Sequence, residues 1–400
     1  MLNKKKSKYE LLAPAGDFPM LVAAVNAGAD AVYFGLKGFN MRAATKNFSV
    51  GDLEEVARIC KPHKVKRYLA INTIIYDNEL DELEKTIKLI RGKVDAVICW
   101  DFAVIKLCKK YKIPFHISTQ ASISNSAAAE FYKKLGAERL ILARELSLGQ
   151  IKNISKKVNI PLEAFCHGAL CVSVSGRCFT SQFLFNKSAN RGECLQPCRR
   201  TYTIKDEDGN ELKLDNNRVL SAKDLCTLPF IEKMKEVGIT SFKIEGRNRD
   251  ARYVDLVVRV YRKALDKKLN KKELDKLLEQ LSLVYNRQFS SGFYLGLPTN
   301  NDFSNIENSA SKEKKHFIGK ITHFYPKINV ATIKLASKVP VNVGEKIIIL
   351  GNTTGIIHSE INSMQINHKA VKHANKGQEI GIKVPALVRK NDEVYVIRTR

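Results

Sequence analysis

The stretch Asp95–Ser118, DAVICWDFAVIKLCKKYKIPFHIS, decides the fold. Asp95–Cys99 is a short apolar run with the character of a buried strand. Residues 101–111 repeat apolar positions at helical spacing, and Pro114–Ser118 is again a short apolar run. A buried strand, an amphipathic helix and a second buried strand in immediate succession form a parallel β-α-β unit, because only a crossover connection lets consecutive strands run the same way.

The unit recurs outward in both directions. Upstream strands are expected at Tyr9–Ala13, Ala31–Gly35 and Lys66–Asn72, with helices at 18–27, 50–62 and 78–91 and Asp17 as the first N-cap. Downstream strands are expected at Arg139–Ala143, Pro161–Phe165 and, after a longer interval, Ser241–Glu245, with helices at 124–135, 147–157 and 251–266. Eight such strands predict an α/β fold, a (β/α)8 TIM-like barrel, with a doubly wound open sheet as the alternative. Chemistry in a barrel sits on loops at the C-terminal strand ends, and polar residues fall there. Asn40, Met41 and Arg42 follow strand two, and Asn72 ends strand three. Ser118, Thr119 and Gln120 end strand five, Arg144 and Glu145 strand six, His167 strand seven, and Glu245 and Arg247 strand eight.

The interval after strand seven holds most of the cysteine. The segment 163–198, EAFCHGALCVSVSGRCFTSQFLFNKSANRGECLQPC, carries five of the nine cysteines. Thiolates are soft ligands, and four together suit an iron–sulfur cluster or a structural zinc. Zinc sites favour two tight C-x2–4-C knuckles; here Cys194 and Cys198 form one, whereas Cys171 and Cys178 stand seven positions apart. That irregularity, with small residues at Gly168, Ser173, Ser175 and Gly176, leans toward a loop-held cluster. Cys226, opening a later helix, reads either as a substitute for Cys198 or as a packing residue.

The net charge of +26 invites a polyanion, RNA above all. Dispersed lysines on solvated helix faces read equally as compositional bias, so the local signal is arginine: Arg191, Arg199, Arg200, Arg247, Arg249 and Arg252 flank the cysteine segment and strand eight. No apolar run is long enough to span a membrane, and MLNKKKSKYE lacks a signal core, so a cytoplasmic protein without membrane association is expected, where disulfides are disfavoured. Within 200–240, TYTIKDEDGNEL reads as a hairpin turning at Asp208-Gly209. Three units are expected: a barrel over 1–270 with the cysteine-rich insertion 166–238, a helix and mobile polar linker over 271–315, and a small all-β barrel over 316–400 built of short alternating strands with glycine turns.

The cysteine segment resembles the signature of peptidase family U32, the collagenase-like proteases. Glu163, Phe165, Gly168, Ala169, Leu170, Cys171, Gly176, Cys178 and Ser181 match it, and Thr180 stands where an aliphatic residue is expected. ELLAPAGD, SANRGECLQPCRR and FKIEGR extend the likeness over roughly residues 9–265. The resemblance implies a TIM-like barrel and, in members that hydroxylate tRNA or rRNA bases, a 4Fe–4S cluster on four cysteines, here Cys171, Cys178, Cys194 and Cys198. It also implies RNA as partner, with a small carboxylate co-substrate in one subgroup and a homologous partner subunit in the quinone-hydroxylating pair. The alternatives are a peptidase and a cluster-bearing accessory subunit without turnover of its own. Neither H-E-x-x-H nor G-x-S-x-G occurs, and His167 with Cys171 is the one neighbouring thiol–imidazole pair. Arg144 and Arg247 are candidates for gripping carboxylate or phosphate, as arginine forks do. Glu163 and Glu245 would orient them or act as acid and base, and His167 would serve beside the cluster.

Overall fold

A computed structural model describes residues 8–43, 46–214 and 216–400. Residues 1–7, on which much of the reading of the N-terminus rested, lie outside the described residues.

Eight parallel strands close into a barrel: β1 (Glu10–Pro14), β2 (Ala31–Gly35), β3 (Lys66–Ala70), β4 (Ala96–Cys99), β5 (Phe115–Ile117), β6 (Arg139–Ile141), β7 (Leu162–Gly168) and β8 (Ser241–Ile244). Closure is explicit in the register, since Ser241 pairs with Glu10 of β1 on one side and with Glu163 of β7 on the other. An open doubly wound sheet would leave both edges unpaired; here neither edge exists. The outer helices start where local chemistry stops the strand. Asp17 accepts from the Met20 amide at 3.0 Å to cap Phe18–Ala27, and Asp250 accepts from the Tyr253 amide at 3.0 Å to cap Ala251–Asp266.

One irregularity reaches the site. Between Lys243 and Ile244 the register with β7 slips, so Lys243 faces Phe165 and Ile244 faces His167, with Cys166 as the extra residue. Side chains alternate along a strand, so one extra residue turns everything beyond it to the other face. Glu163 and Phe165 therefore point into the barrel, and His167 points out, onto Tyr253 and Tyr261 of helix Ala251–Asp266.

The insertion leaves β7 and returns as the short strand Asp224–Cys226, antiparallel to the end of β7 and parallel to Phe289–Ser290. Strands Ile204–Lys205 and Glu211–Leu212 pair as the expected hairpin. The polar stretch expected to be a mobile linker is instead tied down. Lys223 donates to the Asp302 carbonyl at 2.8 Å, Ser304 to Ser221 at 2.7 Å, and Ala310 to Asn286 at 2.8 Å. Polarity misled here because its serines face inward: Ser304, Ser309 and Ser311 are buried.

The C-terminal unit is an antiparallel sheet of eight strands between Glu313 and Thr399, with its own core around Ile318, Ile333, Ile349 and Val396. It docks on the barrel's outer helices. Ile348 and Leu350 join the barrel core, Lys315 bridges to Asp250 at 2.6 Å, and His358 meets Asp255 at 3.1 Å. Among the described residues no helix is long and apolar enough to cross a membrane.

Candidate active site at the barrel mouth

Polar residues at period two along Ser241, Lys243 and Glu245 place a column of charge inside the barrel. At its base Glu163, fully buried, accepts from Lys243 Nζ at 3.0 Å, Arg139 Nη1 at 3.0 Å and Ser241 Oγ at 3.2 Å. Arg139 also pairs with Glu10. Burial acts to raise the Glu163 carboxyl, but Lys243 and Arg139 outweigh it and hold it below the usual range. With its oxygens committed to these partners, Glu163 is built as a structural anion that fixes Lys243.

One layer above, Glu245 sits among cations. Arg42 Nη2 lies 3.3 Å from Oε1, Arg144 Nη2 3.8 Å from Oε2, and the Tyr33 hydroxyl donates to Oε2 at 3.3 Å and to the Ile244 carbonyl at 2.9 Å. Burial pushes the carboxyl up, yet Arg42, Arg144 and Arg247 together hold it down to about 2. Arg144 stacks on Phe165 with its guanidinium carbon 3.8 Å from the ring centroid, donates to the Ala169 carbonyl at 2.9 Å, and leaves a buried Nε without a partner. Arg247 is buried, and its Nη1 donates to Asn40 Oδ1 at 3.3 Å. Burial pushes its guanidinium down to about 10, and the like charge of Arg42 adds to this. Three arginines around one carboxylate leave an excess of positive charge that suits a second anion.

Gly35 makes this packing possible. A Cβ there would lie 2.6 Å from Asn40 Cγ and 2.7 Å from Arg247 Nη1. Asn72 and Gln120 complete the rim, with Asn72 Nδ2 donating to Gln120 Oε1 at 3.4 Å and Asn72 Oδ1 accepting from the Met41 amide at 3.2 Å.

Of the residues singled out in the sequence, Arg144, Glu245 and Arg247 come together at this mouth. Glu163 lies in the layer below, and His167 faces away. Its Nδ1 is 3.3 Å from the Tyr261 hydroxyl, its ring lies among Tyr253, Tyr261 and Phe289, and burial pushes it down to about 3. Tyr33, Arg42 and Lys243 complete the charged column. Tyr33 and Lys243 read as ordinary strand residues, although polar positions two apart in β8 were the signal available.

The insertion lies over this mouth. Arg191 reaches back to Glu79 and to the Ile74 carbonyl in the loop after β3, and Gly192 packs so closely that a Cβ would lie 2.6 Å from the Asn40 carbonyl. Arg199 braces the segment by donating to the Leu170 carbonyl at 2.6 Å. All nine cysteines are free thiols. Cys198 is pushed up by burial first, and also by Cys171, Cys194 and Cys178, which puts those three within electrostatic reach of Cys198. The Ser173 amide donates to Cys171 Sγ at 3.5 Å and the Thr180 amide to Cys178 Sγ at 3.4 Å. Burial would raise Cys178, but hydrogen bonds from Ser173 and Thr180 overcome it and favour the thiolate. Among the described residues no three such side chains converge at metal-ligating distance. In donor chemistry the set nevertheless suits a four-thiolate group: soft sulfurs, two of them supported by N–H···S bonds, with the neighbouring Glu193 carboxylate engaged by Lys187 at 3.1 Å. Cys226 is elsewhere, buried in its short strand with Tyr261 Oη 3.7 Å from its sulfur and pushed up to about 11 by burial.

The chain belongs to peptidase family U32, whose model matches residues 16–304. It is 43% identical to an uncharacterised protease of Methanocaldococcus jannaschii over 97% of this chain and 98% of that one. It is 38% identical to a collagenase of Porphyromonas gingivalis over 97% of each chain. It is 35% identical to tRNA hydroxylation protein P1 of Bacillus subtilis over 82% of this chain and 80% of that one.

Proposed function

We propose that this protein is an enzyme of RNA base hydroxylation, acting on tRNA or rRNA with a 4Fe–4S cluster held by Cys171, Cys178, Cys194 and Cys198. The observation that carries the reading is the excess of arginine over carboxylate at a barrel mouth roofed by a four-thiol insertion. A flipped or single-stranded base needs such an opening, with cations for its phosphates and polar rims for its edges. Likeness to a tRNA hydroxylation protein over most of both chains supports the same assignment, and a cytoplasmic setting agrees with it.

Arg144 and Arg247 would grip the anionic part of the substrate or a small carboxylate co-substrate, with Arg144 held in place by Phe165 and Glu245. Glu245, ionised throughout the physiological range, would orient the arginines. Asn72 and Gln120 would read the base edge from the rim. A 4Fe–4S cluster held by Cys171, Cys178, Cys194 and Cys198 would supply one-electron redox chemistry.

A peptidase reading needs an activated nucleophile. Among the described residues no serine, threonine or cysteine is hydrogen-bonded to a histidine, and His167 is engaged with Tyr261. Anaerobic purification with iron and sulfide analysis tests the proposal. About four of each per chain is expected for a cluster held by four cysteines, and zinc or no metal would sink it. A homologous protein co-purifying in fixed ratio would instead mark an accessory subunit.

A further inference from the structure

A second cationic site lies outside the barrel mouth. Behind the Cys194–Cys198 loop is an open cavity of about 470 Å³, walled by Gln196, Arg199, Arg200, Arg218, Tyr285 and Arg287. Its four arginines face few counter-charges. Arg218 reaches Glu307 at 3.9 Å, and that glutamate is largely solvent-exposed. Arg287 Nη1 is 3.8 Å from Asp224, which is buried behind it, while Arg287 Nη2 donates to the neutral Gln196 side chain at 3.2 Å. Arg287 is itself 6% exposed, and its buried Nε has no partner. Burial, together with the like charges of Arg199 and Arg249, disfavours its charged form. Evolution toward a stable empty surface would not hold so many guanidinium groups together against one exposed and one recessed carboxylate. A tetrahedral oxyanion would neutralise them and accept several of their donors at once.

We propose that this cavity is a phosphate-binding site. Resting on the RNA reading above, it would grip the backbone of the bound strand beside the cysteine loop, where Tyr285 already carries the Arg249 guanidinium 3.6 Å from its ring centroid and helps hold the cationic wall. Arg199 already spends donors on the Ala222 and Leu170 carbonyls, and Arg218 Nη1 on the Arg199 carbonyl at 2.8 Å, so Arg200, Arg287 and the remaining donors of Arg218 are left to meet phosphate.

The test measures binding alone, on the full-length protein, by fluorescence anisotropy of a labelled single-stranded RNA across a salt series and by thermal shift with inorganic phosphate. The variants are Arg218→Gln and Arg200→Glu, the second chosen because Arg200 is exposed and surface substitutions usually change stability little. At least a fivefold loss of RNA affinity is expected in each folded variant, with the salt slope reduced by about one for the contact removed. If RNA affinity holds but inorganic phosphate stabilises the wild type and no longer stabilises the variants, the site stands and its occupant is a free or small-molecule phosphate. RNA affinity, salt slope and phosphate stabilisation all unchanged in Arg200→Glu would overturn it. Because no turnover is read, a protein that binds RNA through this cavity yet hydroxylates nothing would sink the enzymatic proposal alone.

Discussion

Arg247 Nη1 donates to Asn40 Oδ1 at 3.3 Å, so a buried guanidinium at the barrel mouth is met by a neutral amide. Burial and Arg42 oppose its charge more than the shared Glu245 carboxylate offsets them, so a second anion would relieve it. Arg247→Gln is therefore expected to leave the melting temperature unchanged or raised while RNA hydroxylation in cells falls at least tenfold. Full hydroxylation by this variant would remove Arg247 from the site.

Glu163→Gln should act on stability. It keeps the side chain's shape but removes the charge that compensates Lys243 and Arg139. Breaking a buried pair from one side costs roughly 3–5 kcal/mol. Urea denaturation measures this, and a loss near zero would mean that water or a neighbour compensates the cations.

Acid should destabilise the protein through Glu245. Its folded-state value near 2 lies below the unfolded value of about 4.3. Its contribution is thus complete above the unfolded value and lost as pH falls through the folded one. In Glu245→Gln the fall in stability between about pH 5 and 2 should be shallower than in the wild type.

His167 should titrate well below the range of a catalytic base poised near neutrality. Burial depresses it to about 3, below the unfolded value of about 6.5. The unfolded chain then binds the extra proton, so stability supplied by neutral His167 is full above the unfolded value and declines as pH falls toward 3. His167→Phe should flatten that acid limb and leave the pH profile of activity near neutrality unmoved. A shifted activity profile would restore His167 to the chemistry.

Replacing Cys171, Cys178, Cys194 or Cys198 with alanine should remove iron and colour from anaerobically purified protein. Cys226→Ala should keep both, since Cys226 packs against Tyr261. Iron retained at wild-type level in Cys198→Ala would contradict the assignment.

The barrel was legible because buried parallel strands read as short apolar runs between amphipathic helices. Arg144, Glu245 and Arg247 were legible because strand ends in such a barrel point to its mouth. His167 shared that position in the sequence yet faces outward, since the extra residue Cys166 reverses the alternation and a bulge leaves no compositional mark. The anchoring of 297–312 was hidden for a related reason: serines that close backbone hydrogen bonds in a buried turn look the same as serines in solvent. Asn40 and Arg42 were visible as loop residues, but their approach to Arg247 and Glu245 depends on Gly35 leaving room, which no local pattern announces.

The most direct test of RNA hydroxylation is mass spectrometry of nucleosides from tRNA and rRNA of a strain lacking this protein. A nucleoside heavier by one oxygen atom should vanish in the deletion strain, return with the wild-type gene, and stay absent with Arg247→Gln or Cys171→Ala. Identical nucleoside profiles with and without the protein would contradict it.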